Sequence, residues 1–306
     1  MPKLPQTDLV VSNVCFGGNV FGWTADQDLS FKLLDYFIDH AGNFIDTADV
    51  YSSWKEGNSG GESETIIGNY IKARGNRDQL VIATKVAMLE SRKGLGRANI
   101  IAACHDSLKR LQTDHIDIYY AHSDDTETPL EETLEAFDSL VRAGKVKHIA
   151  ASNYSYERLS QALKISAENN LAQYIALQNR YSLVAREPYE SDGARSVVDF
   201  NLAGLPYSTL GSGFLSGKYR SGETVDSQRA QGVTNNYATE ANFELLQRLE
   251  KVAQEYQVSN TAVALEWLRR QRGVTVPLAS GRTIEQLEAL LQRVDLSDEA
   301  VAFIAG

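Results

Sequence analysis

Long apolar runs are missing from this 306-residue chain, and with them any segment of membrane-spanning length. The opening MPKLPQTDLVV has none of the apolar core of a secretory signal. Cysteine is scarce: Cys15 and Cys104 stand far apart with no CxxC partner. A disulfide framework is therefore excluded, and a reducing, cytoplasmic setting is expected. No HxxEH motif or Cys/His cluster suggests a metal. Positive charge is in deficit, with 30 Lys and Arg against 40 Asp and Glu, a net charge of −10. A nucleic-acid partner is not expected, and any anionic ligand must be captured by local basic residues. Internal repeats, low-complexity tracts and long polar linkers are also absent, so residues 1–306 are expected to form one domain.

What is present is alternation. Apolar runs at 14–18, 44–47, 80–84, 116–121, 146–152, 173–178, 204–209 and 274–278 predict eight strands. Their near-continuous hydrophobicity suits parallel strands covered on both faces. Helical periodicity fills the intervals. Leu33, Leu34, Phe37, Ile38 and Ala41 share a face that ends at Gly42, expected as the left-handed residue closing the helix. Thr128-Pro129-Leu130-Glu131 predicts a capping box with proline at its first helical position, and Thr283-Ile284-Glu285-Gln286 predicts another. Eight strand–helix units argue for a single (β/α)8 barrel, and 43% hydrophobic residues suffice for its core. Residues 1–12 are expected as a short hairpin or plug, and 210–239, after the seventh strand, as a long loop.

A barrel of this kind builds its active site at the C-terminal ends of its strands. Asp46 and Tyr51 follow the second strand, Lys85 the third and His122 the fourth. A phenol near pKa 10 is a poor proton donor at neutrality. A lysine ammonium beside it is expected to lower that value, and an aspartate to hold the lysine charged. Histidine can then orient a carbonyl oxygen. The set polarises a carbonyl and protonates the alkoxide that forms, but it holds no reductant, so a hydride carrier is required. Ser152 and Asn153, Gln178, Tyr207 and Ser208, then Ser280 and Arg282, occupy the later strand ends.

At these residues the chain resembles the aldo-keto reductase superfamily. The resemblance runs through CFGGNVFG, FIDTADVY, ATK, IDIYYAH, ASNY, LQNRYS, YSTLGSGFLSGKY and GRTIEQLEAL, nearly the whole chain. It implies reversible NADPH-dependent reduction of an aldehyde or ketone, with Tyr51 as general acid, Lys85 and Asp46 as its supports and His122 orienting the substrate. It implies that Ser152, Asn153 and Gln178 hold the nicotinamide carboxamide while Tyr207 stacks on the ring. Gly18 and Asn19 would border the ribose, and Ser208, Leu210, Ser212 and Lys218 the pyrophosphate. Ser280 would belong to the same cofactor site, Arg282 would meet a 2′-phosphate and Gln286 the adenine. Leu290 stands where relatives often carry asparagine, and Ala151 where valine or isoleucine is common. The inserted SSWKEGNSGGES (52–63) places Trp54 beside Tyr51 as a substrate contact, with a sugar-derived or other small polar carbonyl as the expected substrate. NAD(H)-linked oxidation of a polyol or cyclitol is one alternative, and a cofactor-bound regulatory subunit like the β subunits of potassium channels is another.

Each reading has a duller competitor. Asp46 and Lys85 can be a structural ion pair in a barrel of any function. Gln286 can serve its own helix cap rather than adenine. His40, His105, His115 and His148 have no chemical company and read as surface or helix-end residues. GSGFLSG (211–217) lacks the GxGxxG spacing and a following amphipathic helix, which argues against a doubly wound dinucleotide fold. GNSGG (57–61) matches GxSxG only formally, since no apolar strand precedes it.

Overall fold

Eight short parallel strands follow one another around a closed sheet in chain order. They are β1 (Cys15–Gly17), β2 (Phe44–Asp46), β3 (Val81–Val86), β4 (Ile116–Ala121), β5 (Val146–Ser152), β6 (Tyr174–Gln178), β7 (Ala203–Gly204) and β8 (Leu278–Ala279). The computed structural model describes residues 1–219 and 230–306. β8 pairs with β1, and the sheet closes where Thr275 and Val276 N–H donate to the Gly204 carbonyl at 2.8 and 3.2 Å. A further bond of 2.9 Å from Leu278 N–H to the Pro206 carbonyl seals the seam. β7 and β8 are shorter than the apolar runs suggest. Pro206 and Pro277 cannot donate to a ladder, and a Cβ at Gly204 would sit 1.7 Å from the Gly273 carbonyl oxygen.

Helices wrap the sheet: α1 (Gln27–Asp39), α2 (Glu62–Arg74), α3 (Arg97–Leu111), α4 (Leu130–Arg142), α5 (Tyr156–Glu168), α6 (Ala194–Asp199), α7 (Ala230–Tyr237), α8 (Glu240–Glu255), α9 (Asn260–Arg269), α10 (Ile284–Leu291) and α11 (Asp298–Ala305). The core has two shells. Phe44, Val81, Ala83, Ile118, Tyr120, Ala150 and Ala176 fill the barrel, whereas Ile45, Ile82, Tyr119, Ile149 and Leu177 pack outward under the helices. The N-terminal hairpin forms as expected. Lys3 pairs antiparallel with Val10, and Leu4, Leu9 and Val11 join the interior cluster.

Three local expectations are corrected. The left-handed residue after α1 is Ala41 (φ +64°), not Gly42. Gly42 is required for space, because its Cβ would lie 2.5 Å from the Phe37 ring. Gly42→Ala is therefore expected to lower Tm by several degrees in a thermal melt, since overpacking costs about 1–3 kcal/mol. Thr128 does not cap α4: its hydroxyl donates to Asp125 at 2.8 Å, and Pro129 occupies the cap position without a side-chain bond. The expected loop 210–239 contains a 3-10 turn over Gly211–Ser216 and helix α7, while its residues 220–229 lie outside the described residues.

Candidate active site

Side chains alternate along a strand, so the rung at which the interior shell ends decides what faces the barrel mouth. Val81 and Ala83 point inward, and the same parity carries Lys85 to the top of β3. It likewise carries Asp46 above Phe44, His122 above Tyr120, Ser152 above Ala150, Gln178 above Ala176 and Tyr207 above Leu205. Tyr51 arrives from the loop after β2. That loop stays tied to β3 through Thr47 N–H to Ala83 O at 2.8 Å and Asp49 N–H to Lys85 O at 3.2 Å.

These residues meet. The Lys85 ammonium, fully buried, donates to a carboxylate oxygen of equally buried Asp46, to the Thr47 carbonyl at 2.7 Å and to the Tyr51 hydroxyl at 3.0 Å. Tyr51 in turn donates to Asp46 Oδ1 at 3.2 Å, and Gln178 Nε2 donates to Asp46 Oδ2 at 3.0 Å. Lysine was expected to lower the phenol pKa; burial and then the Asp46 charge instead push it well above 10. The hydroxyl therefore holds its proton across the neutral range. His122 packs edge-on against Tyr51, with ring centroids 6.0 Å apart. Burial and the Lys85 charge hold its imidazole well below the usual range, so it is neutral. Its Nδ1 is buried with no hydrogen-bond partner among the described residues.

On the far side of the mouth, Ser152 Oγ donates to Gln178 O at 2.7 Å, and Asn153 Nδ2 donates to His122 O at 2.9 Å. The Tyr207 hydroxyl donates to Asn153 Oδ1 at 2.8 Å, which holds its ring across the barrel end. Ser208 and Ser212, both left-handed at φ +56° and +55°, line a cavity of about 440 Å³ with Tyr207. Leu210 opens the 3-10 turn between them, and the Lys218 ammonium lies 5.3 Å from the Tyr219 ring centroid. Ser280 donates to Asn19 at 2.6 Å, and Gly18 is packed so closely that a Cβ would meet Ser63 Oγ at 2.8 Å. At α10, Thr283 caps the helix as expected, while Gln286 accepts from Arg282 N–H at 2.9 Å. This ties the Gln286 side chain to the backbone just before the helix. Trp54 is 48% exposed beside Tyr51, centroids 6.0 Å apart, and meets Trp23 edge-on at 5.7 Å.

Three residues escaped the sequence reading. Asn179 faces away from the barrel interior, yet it accepts from Asn153 N–H at 2.7 Å and so positions that left-handed residue. Arg180 shares the parity of Gln178 and reaches the cavity, a signal that was legible in LQNRYS. Asp49 was hidden, because nothing local shows that both its carboxylate oxygens are buried without partners among the described residues. Burial, then the Glu64 charge, raises its pKa to about 7, against the pull of Arg110 and Arg92. Folding therefore takes up a proton between about pH 4 and 7, and wild-type stability falls as pH rises through that window, by at most about 4 kcal/mol. Asp49→Asn lacks this loss. Its Tm advantage should grow from pH 5 to pH 7 and level off above; a gap independent of pH would mean that the carboxyl ionises normally.

Neither a helix long and apolar enough to cross a membrane nor a metal-binding group of His, Cys, Asp or Glu occurs among the described residues. The sequence model of the Aldo/keto reductase family matches residues 13–306. The oxidoreductase YrpG of Bacillus subtilis is 32% identical over 96% of this chain and 90% of its own length. Aryl-alcohol dehydrogenase [NADP(+)] of Phanerodontia chrysosporium is 29% identical over 90% of this chain and 74% of its own. A probable voltage-gated potassium channel subunit beta of Arabidopsis thaliana is 28% identical over 96% and 90%. With the family pattern spanning almost every residue, the chain belongs to the aldo/keto reductase family.

Proposed function

We propose that residues 1–306 form a one-domain NADP(H)-dependent reductase that converts an aldehyde or ketone to an alcohol, with Tyr51 as the proton donor. The observation that carries this reading is the buried Lys85, bonded at once to Asp46 and to the Tyr51 hydroxyl. The residues fit a nicotinamide dinucleotide: a tyrosine tethered by Asn153, amide and hydroxyl groups of Ser152, Asn153 and Gln178 at adjacent strand ends, and a polar cavity continuing past Ser208 and Ser212. When bound, nicotinamide supplies the hydride. Tyr51, kept protonated by burial and Asp46, gives its proton to the alkoxide oxygen. Lys85 stabilises the phenolate left behind, and Asp46 keeps Lys85 in place. Neutral His122 offers the carbonyl oxygen a hydrogen bond without competing for the proton. Arg282 immediately precedes the N-cap of α10, and both arginine and a helix N-terminus favour the 2′-phosphate of NADP(H) over NAD(H). The scarcity of cysteine supports a reducing compartment such as the cytoplasm.

The half-exposed Trp54, backed by Trp23, supports a flat apolar or aryl carbonyl rather than the small polar one suggested by the sequence. Lys55 and Asn58, polar neighbours on the same loop, are committed to the Gly22 carbonyl. Trp54→Ala is expected to raise KM for benzaldehyde about tenfold and to leave propanal nearly unchanged, a contact worth roughly 1–2 kcal/mol. Equal effects on both would remove Trp54 from the substrate site. The function itself is tested by following NADPH oxidation at 340 nm with aryl, aliphatic and sugar aldehydes. Turnover of any of these supports the reading. Tight NADPH binding with no turnover of any would favour a regulatory role, as in the name of the Arabidopsis relative.

A further inference from the structure

The cavity beyond Tyr207 holds one cation that the assigned site residues do not include. Among the described residues its walls are Arg180, Tyr207, Ser208, Ser212, Gly232, Val233, Asn236 and Tyr237, none of them a carboxylate. Arg180 forms no ion pair among the described residues, and the described lining of the cavity offers it no carboxylate. Its guanidinium donates to the Tyr237 hydroxyl and lies 5.5 Å from the centroid of that ring. Arg180 comes from the loop after β6 and Tyr237 from the last residue of α7, so the contact spans the cavity. One hydroxyl uses part of a fork of five donors, and the remaining donors suit a phosphate better than any neutral partner.

We propose that Arg180 is a phosphate-binding residue of this cavity, with Ser208 and Ser212 as its hydroxyl partners, and that its bond to Tyr237 latches α7 beside the bound anion. The proposal rests on the dinucleotide reading above, in which the anion is the diphosphate that joins the two nucleosides. The latch adds to the burial of Val233 and Tyr237 in holding a helix of eight residues, too short to be stable alone, at the barrel mouth. A bound phosphate tightens the same contact by fixing the guanidinium, so release of the ligand and loosening of α7 are coupled.

The test uses the full chain, with NADPH and inorganic pyrophosphate as separate probes, calorimetry for affinity, a stopped-flow chase for NADPH release and hydrogen exchange at residues 230–237. Arg180→Gln should weaken both ligands by roughly 10- to 100-fold and flatten the salt dependence of binding, and Arg180→Lys should recover part of the loss. Tyr237→Phe keeps the ring and should speed NADPH release several-fold. In both Arg180→Gln and Tyr237→Phe, hydrogen exchange of α7 should quicken without ligand. Normal affinity, release and exchange in these variants would overturn the proposal and leave the reductase reading standing. Arg180-dependent binding of pyrophosphate with no binding of NADPH would keep the anion site and remove the dinucleotide reading. Failure of wild type to bind either probe would overturn both.

Discussion

Replacing Tyr51 by phenylalanine is expected to cut carbonyl reduction by roughly 10²- to 10⁴-fold while NADPH still binds, because only the proton donor is lost. The ring and its packing against His122 and Trp54 remain, and the Lys85–Asp46 pair survives although each member loses its bond to the hydroxyl. A pH profile adds an independent readout. The wild-type phenol is held well above its ordinary value, so the reduction rate should not fall as pH rises through neutrality. His122 is held well below the usual imidazole range, so no inflection should appear near pH 6.5. A Tyr51→Phe variant that turns over at the wild-type rate would move the proton donor elsewhere.

The second large effect concerns Lys85. Both members of its pair with Asp46 are fully buried, so Lys85→Met leaves a carboxylate inside the barrel with only Gln178 and Tyr51 as partners. Removing one partner of such a pair costs about 3–5 kcal/mol, and the loss should appear as a sharply lower midpoint in urea. Activity should fall as well, since the phenolate formed on proton transfer loses its counter-charge. The double variant Lys85→Met/Asp46→Leu separates the two roles. It should recover much of the stability, because no charge is left to bury, and none of the activity. Recovery is partial, because Gln178 loses its acceptor. A single variant as stable as wild type would mean that Asp46 simply takes up a proton or meets water.

Sequence alone determined the barrel and the membership of its upper rung, because both depend on short-range regularities. Parallel strands covered on both faces need continuous apolar runs, and period-two alternation then sends Asp46, Lys85, His122, Ser152, Gln178 and Tyr207 to one side. What those residues do to one another was not legible in the same way. The bond from Gln178 to Asp46 joins residues 132 positions apart and exists only because the sheet closes. The direction of the Tyr51 shift depended on how completely the mouth is buried, a property of the packed barrel rather than of any motif. Asp49, in the same FIDTADVY segment as Asp46, ends with no partner among the described residues because α2 and α3 bring Glu64 and Arg110 to other contacts: Glu64 takes the Thr84 hydroxyl at 2.5 Å and Arg110 Nε at 2.6 Å. Gly42 read as a turn residue and proved to be a matter of room beside Phe37. Local pattern specifies which face a side chain takes; only the closed tertiary structure sets the distances, and therefore the charges and proton affinities, across that face.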